Sequence, residues 1–223
     1  MKFIAKNVLW AVGLFAALAC AGPVAAEDLA AALAAGRVSA TFSGNGGSSG
    51  DSIELVVAKN ARAGHGTLRL TVEPGTRLQS RDATAQSMVI AGVRGRATGG
   101  DSYEPGSVIE VGDGGSVTYY LEGYCMEFEK ENPSSGTAFS ITSPDSVLAC
   151  ILHEADGLST DAKQAAVWIH TDHATFEHVN EKFSVSQADW AAAEAVVKKC
   201  QLPPGKEAAP AQESGDSRKS TAK

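Results

Sequence analysis

The chain has 223 residues, of which 43% are hydrophobic, and it carries a formal charge of −7 at pH 7. A chain of this length forms one well-filled core or two small ones. Its acidic balance argues against nucleic acid and anionic lipid as partners, because both repel a negatively charged surface.

The first 26 residues have the features of a secretory signal peptide. Lys2 and Lys6 form a basic start, residues 8–19 are apolar, and residues 24–26 supply a small-residue cleavage site. The apolar stretch is too short to cross a bilayer, and no later stretch is long enough either. We therefore predict a secreted or periplasmic protein whose mature form carries 17 basic and 26 acidic residues, a formal charge of −9.

Cys20 supports an alternative localisation, in which the protein is a lipoprotein with its lipid on this cysteine. Lipoprotein signals usually place leucine three positions before the cysteine, whereas Leu18 lies two positions before it. The lipoprotein is therefore the less favoured interpretation.

Residues 27–37 predict a short helical lead-in that ends at Gly36. Residues 38–132 then alternate between apolar and polar positions or are rich in β-branched residues, with glycine-rich turns between the segments. Six or seven short strands at this spacing predict an antiparallel β-sandwich. The predicted strand segments are 38–43, 53–57, 67–72, 87–93, 107–111 and 116–128.

Residues 133–202 predict a small helical subdomain of about three helices. Ser143 and Pro144 indicate the start of the first helix, and residues 161–172 form the second. Ser186 and Asp189 resemble a capping box at the start of the third. The fold class is thus mainly β with α, and residues 203–223 have the composition of a disordered tail.

Three cysteines remain after cleavage of the signal peptide: Cys125, Cys150 and Cys200. An odd number in an oxidising compartment leaves one thiol outside any disulfide within the chain. That thiol is free, paired between chains or used chemically.

Two short stretches resemble the motifs of bacterial surface thioester domains. Residues 124–127 (Tyr-Cys-Met-Glu) resemble one motif, and residues 163–168 (Lys-Gln-Ala-Ala-Val-Trp) resemble the other, within a similarity that covers residues 117–172. The resemblance implies that Cys125 and Gln164 condense into an internal thioester without a cofactor. It also leaves Cys150 and Cys200 as a candidate disulfide.

A thioester survives in water only where apolar groups shield it. Tyr124, Phe128 and Trp168 are the candidate wall of such a site. A nucleophile admitted to the site, typically a lysine amine on a protein or surface partner, would attack the carbonyl and form an amide.

A structural interpretation needs no chemistry at these residues. Asp161 and Gln164 have the spacing of a capping box, and a tryptophan such as Trp168 most often belongs to a core. Cys125 would then pair with Cys150 or Cys200 as a disulfide that stabilises the fold.

Two enzymatic interpretations receive less support. His170 and His173 share a helix face and are weak candidates for a metal site, but the pattern is not HExxH. A hydrolase that uses Cys125, His170 and Asp172 lacks a nucleophile-elbow motif. We therefore expect no enzyme and no cofactor.

The sequence thus predicts an exported binding or adhesion module that captures partner amines through the thioester. The alternative is a structural domain of the cell envelope, held by a disulfide and without covalent chemistry.

Overall fold

A computed structural model describes residues 25–100 and 102–201. The predicted signal peptide up to residue 24, including Cys20, and the predicted tail lie outside these residues. No helix in the described ranges is long and apolar enough to span a membrane.

Ten strands, one short 3₁₀ helix and five α-helices make up the described part of the chain. The strands are β1 Glu27–Asp28, β2 Val38–Gly44, β3 Ser49–Lys59, β4 Leu68–Thr71, β5 Arg77–Ser80, β6 Met88–Gly99, β7 Ser102–Pro105, β8 Ile109–Val111, β9 Ser116–Cys125 and β10 Ala138–Thr142. The helices are α1 Leu29–Ala34, α2 Ser146–Glu154, α3 Thr160–Asp172, α4 Phe176–Asn180 and α5 Gln187–Gln201, with the 3₁₀ helix at Ala61–Ala63.

Six antiparallel strands close into a β-barrel. The order around the barrel is β5-β10-β2-β3-β9-β6, and the pairing of β5 with β6 completes the ring. Strand β7 extends the sheet from β6. A second sheet of three strands, β1-β4-β8, contacts β3, β6 and β9 through β8.

The barrel core follows the register of the strands. Residues opposite each other in an antiparallel pair point to the same face, and the pairs Leu78–Met88 and Met88–Cys125 therefore place Cys125 in line with buried side chains. The buried residues of these strands include Phe42, Ile53, Leu55, Leu78, Met88, Leu121 and Phe139, none more than 4% exposed.

The helices form a layer beside this barrel. Helix α3 contacts β9 and β3, α2 contacts β6, and α5 packs against both α2 and α3. Asp189 connects two helix starts, because it accepts hydrogen bonds from the hydroxyls of Ser159 and Ser186 (2.6 and 2.5 Å). The Ser186 hydroxyl in turn accepts a bond from the Asp189 backbone N–H, so Ser186 begins α5 as predicted.

The predicted β-sandwich is wrong, because the main sheet closes on itself as a barrel. Strand β10 explains the difference. It lies within residues 133–202, the predicted helical subdomain, and it pairs with both β2 and β5. Closure depends on this strand, which joins parts of the chain that no local pattern connects, and on the pairing of the consecutive strands β5 and β6.

The helix starts also differ in detail from the prediction. Asp145 caps α2 by accepting hydrogen bonds from Val147 and Leu148, so the helix begins after the Ser143–Pro144 pair. The lead-in contains β1 and α1, and Gly36 follows with a left-handed φ of 66°.

Gly75 marks a close approach between the loop before β5 and α2. A Cβ atom at Gly75 would lie 2.7 Å from the Asp145 carbonyl oxygen and 2.8 Å from the Ala149 Cβ. We expect Gly75→Ala to lower the free energy of unfolding by about 1–3 kcal/mol more than Gly114→Ala. Gly114 is the matched control, since it also has a positive φ (76° against 86°) but nothing within 4 Å of an added Cβ. Urea denaturation measures the difference, and equal losses for both variants would contradict the tight contact.

Candidate functional site

The side chain of Gln164 is clamped to the main chain of Cys125. The Cys125 N–H donates to Gln164 Oε1 at 3.0 Å, and Gln164 Nε2 donates to the Cys125 carbonyl oxygen at 2.8 Å. Both residues are fully buried. The carboxamide is therefore fixed in position and orientation at the residue that carries the thiol, and the torsion angle χ1 of Cys125 is the main freedom that sets the sulfur-to-carboxamide distance.

The fold brings these two residues together from 39 positions apart in the chain. Cys125 is the last residue of β9, where the ladder with β3 ends. Its N–H also points at the Ser48 carbonyl oxygen at 2.9 Å. The Gln164 carboxamide thus continues the hydrogen bonding of β9 one residue beyond its last pair with β3.

The capping-box interpretation of Gln164 is wrong. Helix α3 is capped by Ser159, whose side chain accepts a hydrogen bond from Ala162. Gln164 lies in the second turn and uses both polar atoms of its side chain on Cys125. A capping role therefore does not account for the burial of Gln164.

Cys125 is the free cysteine of the described residues. Burial, with a smaller contribution from the negative charge of Glu127, raises the pKa of the Cys125 thiol to about 12. The thiol is therefore protonated at neutral pH.

Phe128 and Trp168, two of the three predicted wall residues, lie against each other. Their ring centroids are 4.9 Å apart, and Phe183 adds a third ring 5.1 Å from that of Trp168. Each contact has the edge-to-face geometry that aromatic pairs prefer. Trp168 lies four residues after Gln164 on α3, so this cluster is next to the carboxamide on the same helix face.

Tyr124, the third predicted wall residue, belongs to a different group of side chains. Neighbouring residues of a strand point to opposite faces, so Tyr124 and Cys125 diverge. The Tyr124 hydroxyl donates to Glu122, which also accepts a 3.1 Å hydrogen bond from Lys163 Nζ. Although burial alone would raise the pKa of Glu122, these two bonds hold it below its usual range. The Glu122–Lys163 ion pair thus fastens α3 to β9 one residue before Gln164.

Gln86 is a site residue that the sequence did not reveal. Its Oε1 accepts hydrogen bonds from the Glu127 N–H at 3.1 Å and from Trp168 Nε1 at 3.4 Å, and its Nε2 donates to Asn132 at 3.1 Å. Gln86 is 2% exposed and therefore acts as a buried connector between the strand end and α3. A single polar residue just before a strand has no periodic signal that would identify it.

A cavity of about 150 Å³ opens beside this site. Its lining includes Ser48, which accepts a hydrogen bond from Cys125, and Gln86, which accepts one from Glu127. Trp168 of α3 also lines it. Lys130 and Lys182 also line it.

The predicted disulfide between Cys150 and Cys200 is present. Their Cα atoms lie 5.7 Å apart, within the usual range for a disulfide. The bridge joins α2 to α5, which packs against the helix that carries Gln164. The alternative pairing of Cys125 with either of these cysteines is therefore wrong.

The other candidate site residues, His170, His173 and Asp172, each have a different environment. His173 ends α3 in a left-handed conformation, and His170 Nδ1 lies 3.4 Å from Gln201 Nε2. Asp172 accepts hydrogen bonds from the Phe128 N–H and the Thr171 hydroxyl. Within residues 25–100 and 102–201, no group of three His, Cys, Asp or Glu side chains is placed to hold a metal ion.

No protein-family model, curated protein or solved structure matches the chain.

Proposed function

We propose that the protein is an exported binding or adhesion module that carries an internal thioester between Cys125 and Gln164 and captures partner amines covalently. The observation that carries the proposal is the double hydrogen bond of the Gln164 carboxamide to the main chain of Cys125. A thiol and a carboxamide do not condense freely in water. Fixed near-contact can supply about 7–11 kcal/mol of such a barrier, provided that the reacting atoms are aligned.

Formation of the thioester needs no cofactor. The Cys125 sulfur attacks the Gln164 carboxamide carbon, and the bond from that carbon to Nε2 breaks. The thiol proton moves to the departing nitrogen, which leaves as ammonia. Because the raised pKa keeps the proton on the Cys125 sulfur at neutral pH, that proton has to transfer as the carbon–sulfur bond forms.

In the capture of a partner, the Cys125 sulfur is the leaving group and no longer the nucleophile. An unprotonated primary amine attacks the thioester carbonyl, the carbon–sulfur bond breaks, and a proton from the amine returns to the Cys125 sulfur. The product is an amide at position 164 and a free thiol at Cys125. A stable amide between the chain and its partner is the chemical basis of the proposed adhesion.

The environment of the pair supports this chemistry over simple hydrolysis. Both residues are 0% exposed, and Phe128 and Trp168 form an aromatic wall beside them. Exclusion of bulk water preserves reactive intermediates.

The alternative is a structural module of the envelope with the same barrel and helices. In that case the Gln164–Cys125 hydrogen bonds complete the strand end, and the Cys150–Cys200 disulfide stabilises the helical layer. A buried glutamine with both polar atoms bonded is consistent with this function as well.

The intact mass of the purified mature chain separates the two functions. The thioester lowers the mass by one ammonia, about 17 Da, and methylamine then adds about 31 Da at position 164 and frees one thiol. Cys125→Ala should show neither change. A wild-type chain with its full mass that takes up no methylamine would exclude the thioester and leave the structural function.

A further inference from the structure

We infer that the cavity beside Cys125 and Gln164 is a recognition subsite for acidic peptide segments, and that the captured amine is a lysine flanked by acidic residues. The inference rests on the proposed function for the covalent step. Its binding step is independent of the thioester.

The charge of the cavity wall is opposite to that of the protein. The chain carries a net charge of −7, yet both ionisable side chains that line the cavity are lysines, Lys130 and Lys182. The remaining lining residues are polar or aromatic and include Asn132, Phe128 and Trp168. A ligand that enters this cavity meets positive charge and amide donors on an otherwise acidic protein.

The two lysines are held in place by carboxylates that do not line the cavity. Lys130 Nζ lies 2.6 Å from Glu127, and Lys182 Nζ lies 2.9 Å from Glu129 and 5.0 Å from the centre of the Phe128 ring. Each ammonium group has three N–H donors, and its contact with Glu127 or Glu129 uses one of them. Each lysine can therefore also donate to a carboxylate of a bound ligand.

The position of the cavity connects this charge to the reactive pair. Neither Cys125 nor Gln164 lines the cavity itself. Two lining residues connect it to them: Ser48 accepts a hydrogen bond from the Cys125 N–H, and Trp168 belongs to the helix that carries Gln164. The aromatic rings suit the aliphatic part of a lysine side chain, whose stem packs on apolar surface.

The test uses Cys125→Ala, because this variant removes the covalent step and retains the cavity. Three peptides of equal length, blocked at both ends, contain one central lysine flanked by Glu, Gln or Arg. Tryptophan fluorescence reports their binding, since Trp168 lines the cavity. We expect the Glu-flanked peptide to bind about three- to tenfold more tightly than the Gln-flanked peptide at low salt, and high salt should reduce this ratio.

Two further variants assign the preference to the lysines. In the Cys125→Ala background, Lys130→Gln combined with Lys182→Gln should bring the ratio close to one, whereas Glu129→Gln should increase it by freeing Lys182. Lys199→Gln is the control, because Lys199 forms an ion pair with Glu154 away from this cavity. Equal binding of the three peptides, tighter binding of the Arg-flanked peptide, or a ratio unchanged by the double lysine substitution would overturn the inference.

The covalent reaction of the wild-type chain with the same peptides then distinguishes the two proposals. If methylamine adds to the chain but the peptides react at equal rates, the recognition subsite fails and the thioester remains. If the Glu-flanked peptide binds preferentially but no ammonia is lost from the chain, the thioester fails and the subsite remains.

Discussion

Replacing Gln164 with alanine should abolish amine capture and also lower the free energy of unfolding by about 2–4 kcal/mol. The substitution removes both hydrogen bonds to Cys125 and leaves a cavity in a fully buried position. The Cys125 carbonyl loses the Gln164 donor, and unpaired buried polar groups are costly. Intact mass after methylamine treatment and urea denaturation measure the two effects.

Cys125→Ala is the matched variant for this prediction. It should abolish capture equally but destabilise the unreacted fold by only about 1 kcal/mol, because the hydrogen bonds use the main chain of residue 125. The free energy of unfolding of each variant is compared with that of the methylamine-treated wild type, so that neither the variant nor the reference chain carries the thioester. Similar stability losses for the two variants, or residual methylamine uptake by either, would contradict the assigned roles.

Loss of the Cys150–Cys200 disulfide should lower the free energy of unfolding by about 2–4 kcal/mol. The bridge spans 50 residues of sequence and joins α2 to α5. Its removal releases a large loop in the unfolded chain, which increases the entropy of that state. The double substitution of both cysteines by alanine, followed by urea denaturation, measures the loss.

A reducing agent provides an independent control for the disulfide. Reduction should shift the unfolding midpoint of the wild type and leave that of the double variant unchanged. An equal response of the two chains to the reducing agent would show that the effect does not arise from this bridge.

The strands with clear alternation were identifiable from sequence, whereas the barrel was not. Residues 67–72 alternate apolar and polar side chains, and β4 lies within them. Strand β5 has four residues, only one of them buried, and β10 has five residues, one of them buried. Such short and polar strands carry little periodic signal. Barrel closure depends on the pairing of β5 with β10, which joins segments far apart in the chain.

The candidate site likewise combines an element that a local sequence pattern predicts with contacts that no local pattern predicts. Helix α3 was predictable from its pattern, and it runs from Thr160 to Asp172. The proximity of Gln164 to Cys125 was expected only from the resemblance between short motifs, because no local rule relates a strand end to a helix 39 residues later. Gln86 was missed since its three side-chain partners come from parts of the chain distant in sequence.

Electron density between the Cys125 sulfur and the Gln164 side-chain carbon in a crystal of the mature protein tests the central claim most directly. The thioester predicts continuous density at covalent-bond length and the loss of the nitrogen that donates to the Cys125 carbonyl. Two separate side chains, with that nitrogen still bonded to the Cys125 carbonyl oxygen in freshly purified, untreated protein, would contradict it.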